Sequence, residues 1–273
     1  MPLRPACASM RAMTSPTTRR NVLRFVAGIP VLAAGRAWGA PTPIALIERL
    51  IGEARDLPHV SQRIDFISGK LLGRRYQANT LIGGPHQPER FVVRDDAFDC
   101  VTFCEVVLAA ALAHDLDGFE TMLRRIRYDH GAVRYDQRNH YFADWCRRNV
   151  DNHICQRAPI GPGVTIDKTV TWHHEFGRRH VSVSAVSRSV FLDNLRLLAP
   201  GDIVGFMSQR PGLDFYHTGL VAFDGKGEAM LRHASRSRGR VVEERMTAFV
   251  SINPVKHVAL LRAAETAPLV ERL

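Results

Sequence analysis

One cysteine and two histidines in this chain could together perform nucleophilic catalysis. Cys100 follows Asp99 and precedes an apolar, alanine-rich run, which predicts a helix from Asp99 to about His114 with Asp99 as its N-cap. A thiol at a helix N-terminus has its thiolate stabilised by the helix dipole. His217 and His233 lie on two consecutive strand-like runs, where one imidazole can take the thiol proton and the other ring can orient it. The spacing therefore indicates a cysteine nucleophile served by a histidine base.

The two histidines can act together only if they point to the same face of a sheet. If His217 lies opposite His233, residues 224–226 form a three-residue hairpin loop with a neighbouring glycine for the left-handed position. A four-residue loop would put the histidines on opposite faces unless a bulge intervenes, because a one-residue slip flips every side chain. Gly219, on the same face as His217, is expected to let a helix approach closely.

Apolar periodicity places helices before strands along the chain. Helices are predicted from Thr42 to Ala54, from Ser61 to Gly73, over 119–127 and from within 138–145. Residues 74–90 are predicted to form a long surface loop, and residues 91–93 a short strand. Further strands are predicted over 165–170, 181–186, 202–207, 217–223, 230–234, 240–243 and 257–261. This order predicts an α+β domain with an antiparallel sheet in its C-terminal part.

The first forty residues have the order of an export signal. Six arginines and no acidic residue occur there, and the pair Arg19-Arg20 precedes an apolar stretch from Phe25 to Gly35. Small residues follow up to Ala40, as at a cleavage site, and the arginine pair is typical of twin-arginine signals. An uncleaved anchor and a basic tail are the alternatives. We therefore expect a leader over 1–40, one domain over 41–273, a periplasmic or extracellular location, and no stable membrane span after processing.

The charge of the remaining chain does not favour a nucleic-acid partner. The net charge is +10, and it falls to +4 once the six leader arginines are left out. Such mild basicity suits an anionic polymer such as the bacterial cell wall, and no basic face interleaved with aromatic residues is evident. The pairs His173-His174 and Cys146/Cys155 fit no standard zinc spacing. If any cysteines pair, we expect Cys146 with Cys155.

The catalytic residues and their flanking sequences resemble a known superfamily. The chain is similar to the NlpC-type papain-like cysteine amidases of bacterial cell walls, in which an Asp-Cys dipeptide begins a helix, a His-x-Gly strand carries the base and a following His-Ala carries a third polar residue. The resemblance is closer to the N-acetylmuramoyl-L-alanine amidase-like branch and covers roughly residues 45–263. The shared segments are Asp99–Phe103 with Glu105, Arg138–Phe142, Asp144-Trp145, Gly201–Val204, Pro211–Asp214, His217–Gly219 and His233-Ala234.

The sequence departs from the superfamily pattern in two places. Val101-Thr102 replaces the Ser-Gly that commonly follows Asp-Cys, and the interval from His217 to His233 is longer than usual.

The resemblance implies a papain-like fold and a specific division of roles. Cys100 would be the nucleophile, His217 the base, and His233 the residue that holds the His217 ring. The substrate would be peptidoglycan or a muropeptide, cut at the amide between N-acetylmuramic acid and L-alanine, with no metal or organic cofactor. Alternatives are cleavage of the γ-D-glutamyl bond in the stem peptide and a non-catalytic wall-binding module.

Three further residues are candidates for substrate binding in this scheme. Asp99 lies beside the nucleophile, and Tyr141 and Trp145 could line a sugar or peptide groove, although aromatic residues at such positions are more often core. Glu105 could position a group at the site or could be an ordinary helix glutamate.

Overall fold

An α+β arrangement is seen in the computed structural model, which describes residues 44–265. Its α-helices are α1 (Ala45–Ala54), α2 (Val60–Lys70), α3 (Cys100–Leu112), α4 (Leu116–Arg127), α5 (Phe142–Asp151), α6 (Arg188–Asp193) and α7 (Met246–Ile252). Its strands are β1 (Arg75–Tyr76), β2 (Ile82–Gly84), β3 (Gln87–Arg90), β4 (Ala97–Phe98), β5 (Cys155–Arg157), β6 (Val164–Val170), β7 (Arg179–Ser187), β8 (Ile203–Met207), β9 (Phe215–Phe223), β10 (Ala229–Ser235), β11 (Arg240–Arg245) and β12 (His257–Ala263). The predicted α+β class is confirmed.

Helix α3 lies at the centre of the molecule. Its residues from Thr102 to Leu112 are all buried, because the helix packs against α1, α2 and α4 on one side and against β9 and β10 on the other. A helix that is apolar around its whole circumference has to be enclosed in this way. The helix therefore carries Cys100, at its first turn, to the surface of the sheet.

The large sheet follows the order β4-β1-β11-β10-β9-β8-β12-β7-β6, with β5 paired to β12, and curls into a half-barrel. Strands β8 to β11 form its antiparallel centre, so the strands that carry the two histidines are neighbours. Strands β2 and β3 form a separate hairpin.

The hairpin between β9 and β10 has a three-residue loop, one residue later than predicted. The Asp224 amide donates to the Glu228 carbonyl at 3.0 Å, and Gly227 adopts φ +80°. The residue that closes the loop lies one position later than predicted on each side of the hairpin. The pairing of β9 with β10 therefore differs from the predicted pairing by two residues, and Arg232 lies opposite Leu220. A two-residue shift keeps every side chain on its face, so the expectation that the histidines share a face is confirmed while the expected register is wrong.

Several predicted boundaries differ from the structure. The predicted loop over 74–90 contains β1, β2 and β3, which are short and polar and therefore lack an alternating apolar pattern. Residues 91–93 do not form a strand: Phe91 packs under the Arg124 guanidinium, and the Val92 carbonyl accepts a hydrogen bond from Arg127. The short helices α6 and α7 had no clear sequence signal.

The predicted leader over 1–40 and the predicted helix start at Thr42 lie outside the described residues. Within 44–265, no helix combines the length and the apolar character that a membrane span requires.

Candidate active site

Asp99 fixes the start of α3 and thereby the position of Cys100. The Asp99 carboxylate accepts hydrogen bonds from the Val101 amide at 3.1 Å and the Thr102 amide at 2.8 Å, and the Asp99 amide donates to the Thr102 hydroxyl at 2.9 Å. This reciprocal capping box satisfies backbone donors that the first turn leaves unpaired. Val101-Thr102 is thus compatible with a well-formed helix start, and Cys100 becomes the first helical residue.

Backbone amides surround the Cys100 sulfur. The amides of Thr218, Cys100 and Val101 hydrogen-bond to it and favour the thiolate. Burial acts in the opposite direction and is the largest influence, followed by the negative charge of Asp99, and the pKa of Cys100 is raised to about 12. The amides at the start of α3 thus favour the thiolate, as expected, but desolvation and the neighbouring carboxylate outweigh them and the net pKa is raised.

The two histidines contact each other directly. His217 Nε2 lies 2.6 Å from His233 Nδ1, and the two rings meet edge to face with centroids 4.7 Å apart. Phe249 of α7 packs against both rings, and Phe206 stacks on His217. These apolar neighbours shield the pair from water. Because the contact uses Nε2 of His217, Nδ1 is the ring nitrogen that lies outside it.

The β9–β10 ladder ends next to Cys100. Strand β10 pairs with β9 only as far as Arg232 opposite Leu220, whereas its pairing with β11 continues to Ser235. The Thr218 amide, which hydrogen-bonds to Cys100, lies just beyond the last β9–β10 pair and directly after His217. The start of α3 therefore meets the sheet where its strands separate, with Cys100 against the backbone of the residue that follows His217.

Gly219 leaves room for His233 rather than for a helix. A Cβ atom at Gly219 would lie 2.9 Å from the His233 Cβ and 2.7 Å from a Leu231 methyl carbon. The expectation of a closely approaching helix is wrong, since the close neighbour is strand β10. The missing side chain instead allows the two histidines to meet on one face.

Burial keeps both histidines neutral. It lowers the pKa of His217 to about 3, with a smaller contribution from His233. It also lowers the pKa of His233, although the carboxylate of Glu244 acts in the opposite direction. At neutral pH, the resting site thus holds a protonated Cys100 thiol and two neutral imidazoles.

Sequence reasoning missed one residue of this cluster. Glu244 Oε1 lies 2.9 Å from His233 Nε2, on the side of the ring away from His217. Glu244 is opposite Leu231 in the β10–β11 ladder, so its contact with His233 depends on a strand register that the sequence does not specify. A glutamate on a strand of otherwise ordinary composition carries no local signal for such a role.

A polar groove of about 390 Å³ adjoins the start of α3. His140 contributes a neutral ring, because burial lowers its pKa to about 4, and its Nε2 lies 2.6 Å from the Tyr135 carbonyl. Trp172, next to His173 on the β6–β7 connection, is 60 % exposed. The principal polar side chains along the groove are those of Asn79, Asp99, Arg138, Asn139, His140 and His173.

Tyr141 and Trp145 are core residues and do not line this groove. Both are essentially inaccessible to solvent, since Trp145 stacks on Phe142 and Tyr141 lies beneath the β6–β7 connection. The expectation that they contact substrate is corrected accordingly. The Tyr141 hydroxyl accepts a hydrogen bond from the His173 amide at 2.9 Å, so it supports a residue that does line the groove. Asp99 lines the groove as expected.

Glu105 forms a buried ion pair at the base of the groove. Its Oε2 accepts from Arg127 Nε at 2.7 Å, and both side chains are almost fully buried. Burial raises the pKa of Glu105, and the Arg127 charge counteracts this.

Cys146 and Cys155 are both free thiols in this structure. Over residues 44–265, no group of His, Cys, Asp and Glu is arranged to hold a metal ion.

Comparison with solved structures shows the fold of this chain in other bacterial proteins. A protein from Legionella pneumophila is 20% identical with a TM-score of 0.72, and the match covers 82% of this chain and 95% of that chain. A Bacteroides uniformis N-acetylmuramoyl-L-alanine amidase is 24% identical with a TM-score of 0.67, over 75% of this chain and 99% of the other. A second structure of an amidase with that name and source gives 25% identity and a TM-score of 0.66, over 75% and 98%.

The family assignment rests on a match within the sequence. A comparison with curated proteins gives no match. A family model described as N-acetylmuramoyl-L-alanine amidase-like matches residues 66–256, which include the start of α3 and both strands that carry histidines. The chain belongs to the N-acetylmuramoyl-L-alanine amidase-like family.

Proposed function

We propose that this protein is a cysteine amidase that hydrolyses the amide between N-acetylmuramic acid and L-alanine in peptidoglycan or muropeptides. Membership of the family supports a cell-wall amidase in general. The single observation that carries the finer proposal is the contact of His217 with His233 at 2.6 Å, next to the amide that hydrogen-bonds to the Cys100 sulfur. In the proposed mechanism, Cys100 is the nucleophile, His217 the base and His233 the orienting residue, as in papain-like enzymes.

The reaction begins with a neutral pair. As the sulfur attacks the carbonyl carbon of the amide, the thiol proton moves to Nδ1 of His217. The oxyanion that forms accepts a hydrogen bond from the Cys100 amide, at the positive end of α3. Collapse of the tetrahedral intermediate breaks the C–N bond, and His217 returns the proton to the departing amine of L-alanine. Water then hydrolyses the thioester that links Cys100 to the lactyl group of muramic acid, and the thiol is regenerated.

The groove beside Asp99 suits a substrate rich in amides and hydroxyls. Arg138 is held by Glu89 through hydrogen bonds of 2.8 and 2.9 Å, and His140 is neutral, so these groove residues offer hydrogen bonds rather than a strong net charge. Trp172 presents an exposed ring near the groove, on which the face of a sugar could stack. No metal or organic cofactor enters this chemistry.

We also propose that the protein acts outside the cytoplasm after removal of residues 1–40. The support is the order of paired arginines, apolar stretch and small residues in that segment. N-terminal sequencing of the protein from the periplasm should give a start near Ala40 or Pro41. An intact N-terminus on a cytoplasmic protein would refute the proposal.

The proposed activity is tested by mass spectrometry of the products from purified muropeptides. The wild-type protein should release the intact stem peptide, with L-alanine at its new N-terminus. Cys100→Ala should abolish cleavage, whereas Cys104→Ala, one helical turn deeper in the core, should keep substantial activity. Products cut at the γ-D-glutamyl bond would identify the alternative endopeptidase. Binding without cleavage would identify a wall-binding module.

A further inference from the structure

The histidine pair continues into a third ionisable group. His233 lies between His217 and Glu244, at 2.6 Å from His217 Nε2 and 2.9 Å from Glu244 Oε1. His233 is 2% exposed, and the Glu244 side chain is 28% exposed, facing a cavity of about 300 Å³ that Arg238 also lines. The three groups form one hydrogen-bonded row on a single face of the sheet, from His217 through His233 to Glu244.

The chemistry of Glu244 determines where the protons in this row lie. An ionised carboxylate only accepts hydrogen bonds, so Nε2 of His233 must be the donor in their contact. A neutral imidazole carries one proton, which leaves Nδ1 of His233 as an acceptor. The contact at 2.6 Å then requires Nε2 of His217 to donate. His217 is therefore left with an unprotonated Nδ1.

We propose that Glu244 is a positioning residue that sets the tautomer of both histidines and so presents Nδ1 of His217 as the free base. The inference rests on the proposed function, because it assigns Glu244 a part in the same proton transfer. Glu244 acts through His233 and does not touch the reacting atoms. Its carboxylate also balances the positive charge that His217 acquires when it takes the thiol proton.

The surroundings of Glu244 are compatible with this role. The contact between Glu244 and His233 is enclosed on the protein side by Leu231 and Phe249. Arg238 lines the open side. The neighbouring Glu243 is already engaged, since it accepts a hydrogen bond from Arg232 at 2.7 Å. Of the two adjacent glutamates, only Glu244 has its hydrogen bond to a histidine of the site.

The test compares two substitutions that keep the shape of the side chain. Glu244→Leu removes the acceptor, and we expect kcat to fall by about 10- to 100-fold with KM unchanged, as is typical when the partner that orients a histidine is lost. Glu244→Gln retains a carbonyl oxygen that can accept from His233 and should stay within about threefold of wild-type kcat. Glu228→Leu, the same change at an exposed loop residue, is the control.

A spectroscopic measurement separates this role from a structural one. Nitrogen-15 NMR of labelled histidine should show both His217 and His233 protonated on Nε2 in the wild type, with assignments from His217→Asn and His233→Asn. In Glu244→Leu, a fraction of His233 should become protonated on Nδ1. Wild-type kcat in Glu244→Leu, a Gln variant as impaired as the Leu variant, or an unchanged tautomer pattern would overturn the inference. Activity that is lost in Cys100→Ala but kept in Glu244→Leu would overturn this inference alone and leave the proposed function intact.

Discussion

The reactivity of Cys100 toward an alkylating agent should rise continuously with pH. The perturbation is the pH of the buffer, and the readout is the rate at which iodoacetamide modifies the peptide that contains Cys100. Burial and Asp99 raise the pKa of Cys100 to about 12, so the thiolate population is small throughout the neutral range. Because only the thiolate is alkylated, the rate should increase about tenfold per unit between about pH 7 and pH 10, with no plateau.

The competing account is a thiolate–imidazolium ion pair. In that case the thiolate would already be formed at neutral pH, and the alkylation rate would be nearly flat between about pH 6 and pH 8. His217→Asn separates the two accounts, because it removes the imidazolium. We expect the pH profile of alkylation in His217→Asn to resemble that of the wild type. If the wild type instead held a thiolate–imidazolium ion pair, the substitution would remove that pair and the plateau would disappear.

The assay is made specific by peptide mapping of the alkylated protein. Cys104 and Cys155 are buried, and Cys146 is partly buried, so the modified peptides should be assigned individually. The Cys100→Ser variant gives the background alkylation signal of the peptide that contains residue 100. Circular dichroism at each pH checks that the fold is retained. A plateau at neutral pH in the wild type that is lost in His217→Asn would refute the argument that burial dominates this site.

Three further predictions concern the histidine pair and the groove. The free energy of unfolding should fall as the pH drops below about 6.5, by up to about 1.4 kcal/mol per pH unit for each of the two histidines. In this pH range the histidines of the unfolded chain become protonated, whereas burial keeps His217 and His233 neutral in the folded state. Urea titrations at several pH values test this, and His217→Asn should flatten the dependence. Gly219→Ala should displace the neighbouring strand, lower the free energy of unfolding by about 1–3 kcal/mol and lower kcat. Gly225 has open space around it, so the control variant Gly225→Ala should change neither thermal unfolding nor kcat appreciably. Trp172→Ala should raise KM for sugar-bearing muropeptides about tenfold in steady-state kinetics, with kcat nearly unchanged. An unchanged KM would exclude a contact between Trp172 and the sugar.

The helix start could be predicted from the sequence because its signals are local. An aspartate before an apolar, alanine-rich run specifies both the cap and the burial, and the structure has Asp99 as N-cap and Cys100 as the first residue of α3. The strands from β8 to β12 were also predicted within a few residues, since their apolar runs are bounded by turn residues. Local composition therefore sufficed for the elements that position the nucleophile and the base.

The register between strands could not be derived with the same certainty. Closure of the hairpin at Asp224 rather than Phe223 depends on the Asp224 carboxylate, which accepts from the amides of Lys226 and Glu228 at 2.8 and 2.9 Å. The row of His217, His233 and Glu244 depends on two registers together, that of β9–β10 and that of β10–β11. The protonation state of Cys100 depends on the balance between burial, Asp99 and the surrounding amides, which only coordinates reveal.

The aromatic residues show a further limit of sequence reasoning. Tyr141 and Trp145 lie in the segment that resembles the family and could have faced the substrate or the core. The Asp214 carboxylate accepts a hydrogen bond from the Ala143 amide at 2.7 Å and ties the start of α5 to the loop before β9, which turns both rings inward. Trp172, which is exposed and directly precedes the groove residue His173, had no distinctive pattern around it.

In the proposed mechanism, Cys100 forms a thioester with the muramic acid part of the substrate. The most direct measurement is intact-protein mass spectrometry of a rapidly acid-quenched reaction with a muropeptide, followed by peptide mapping. We expect a covalent adduct with the mass of the glycan and its lactyl group on the Cys100 peptide, while the stem peptide is released. An adduct on any other residue, or turnover of the muropeptide by Cys100→Ala at the wild-type rate, would contradict it.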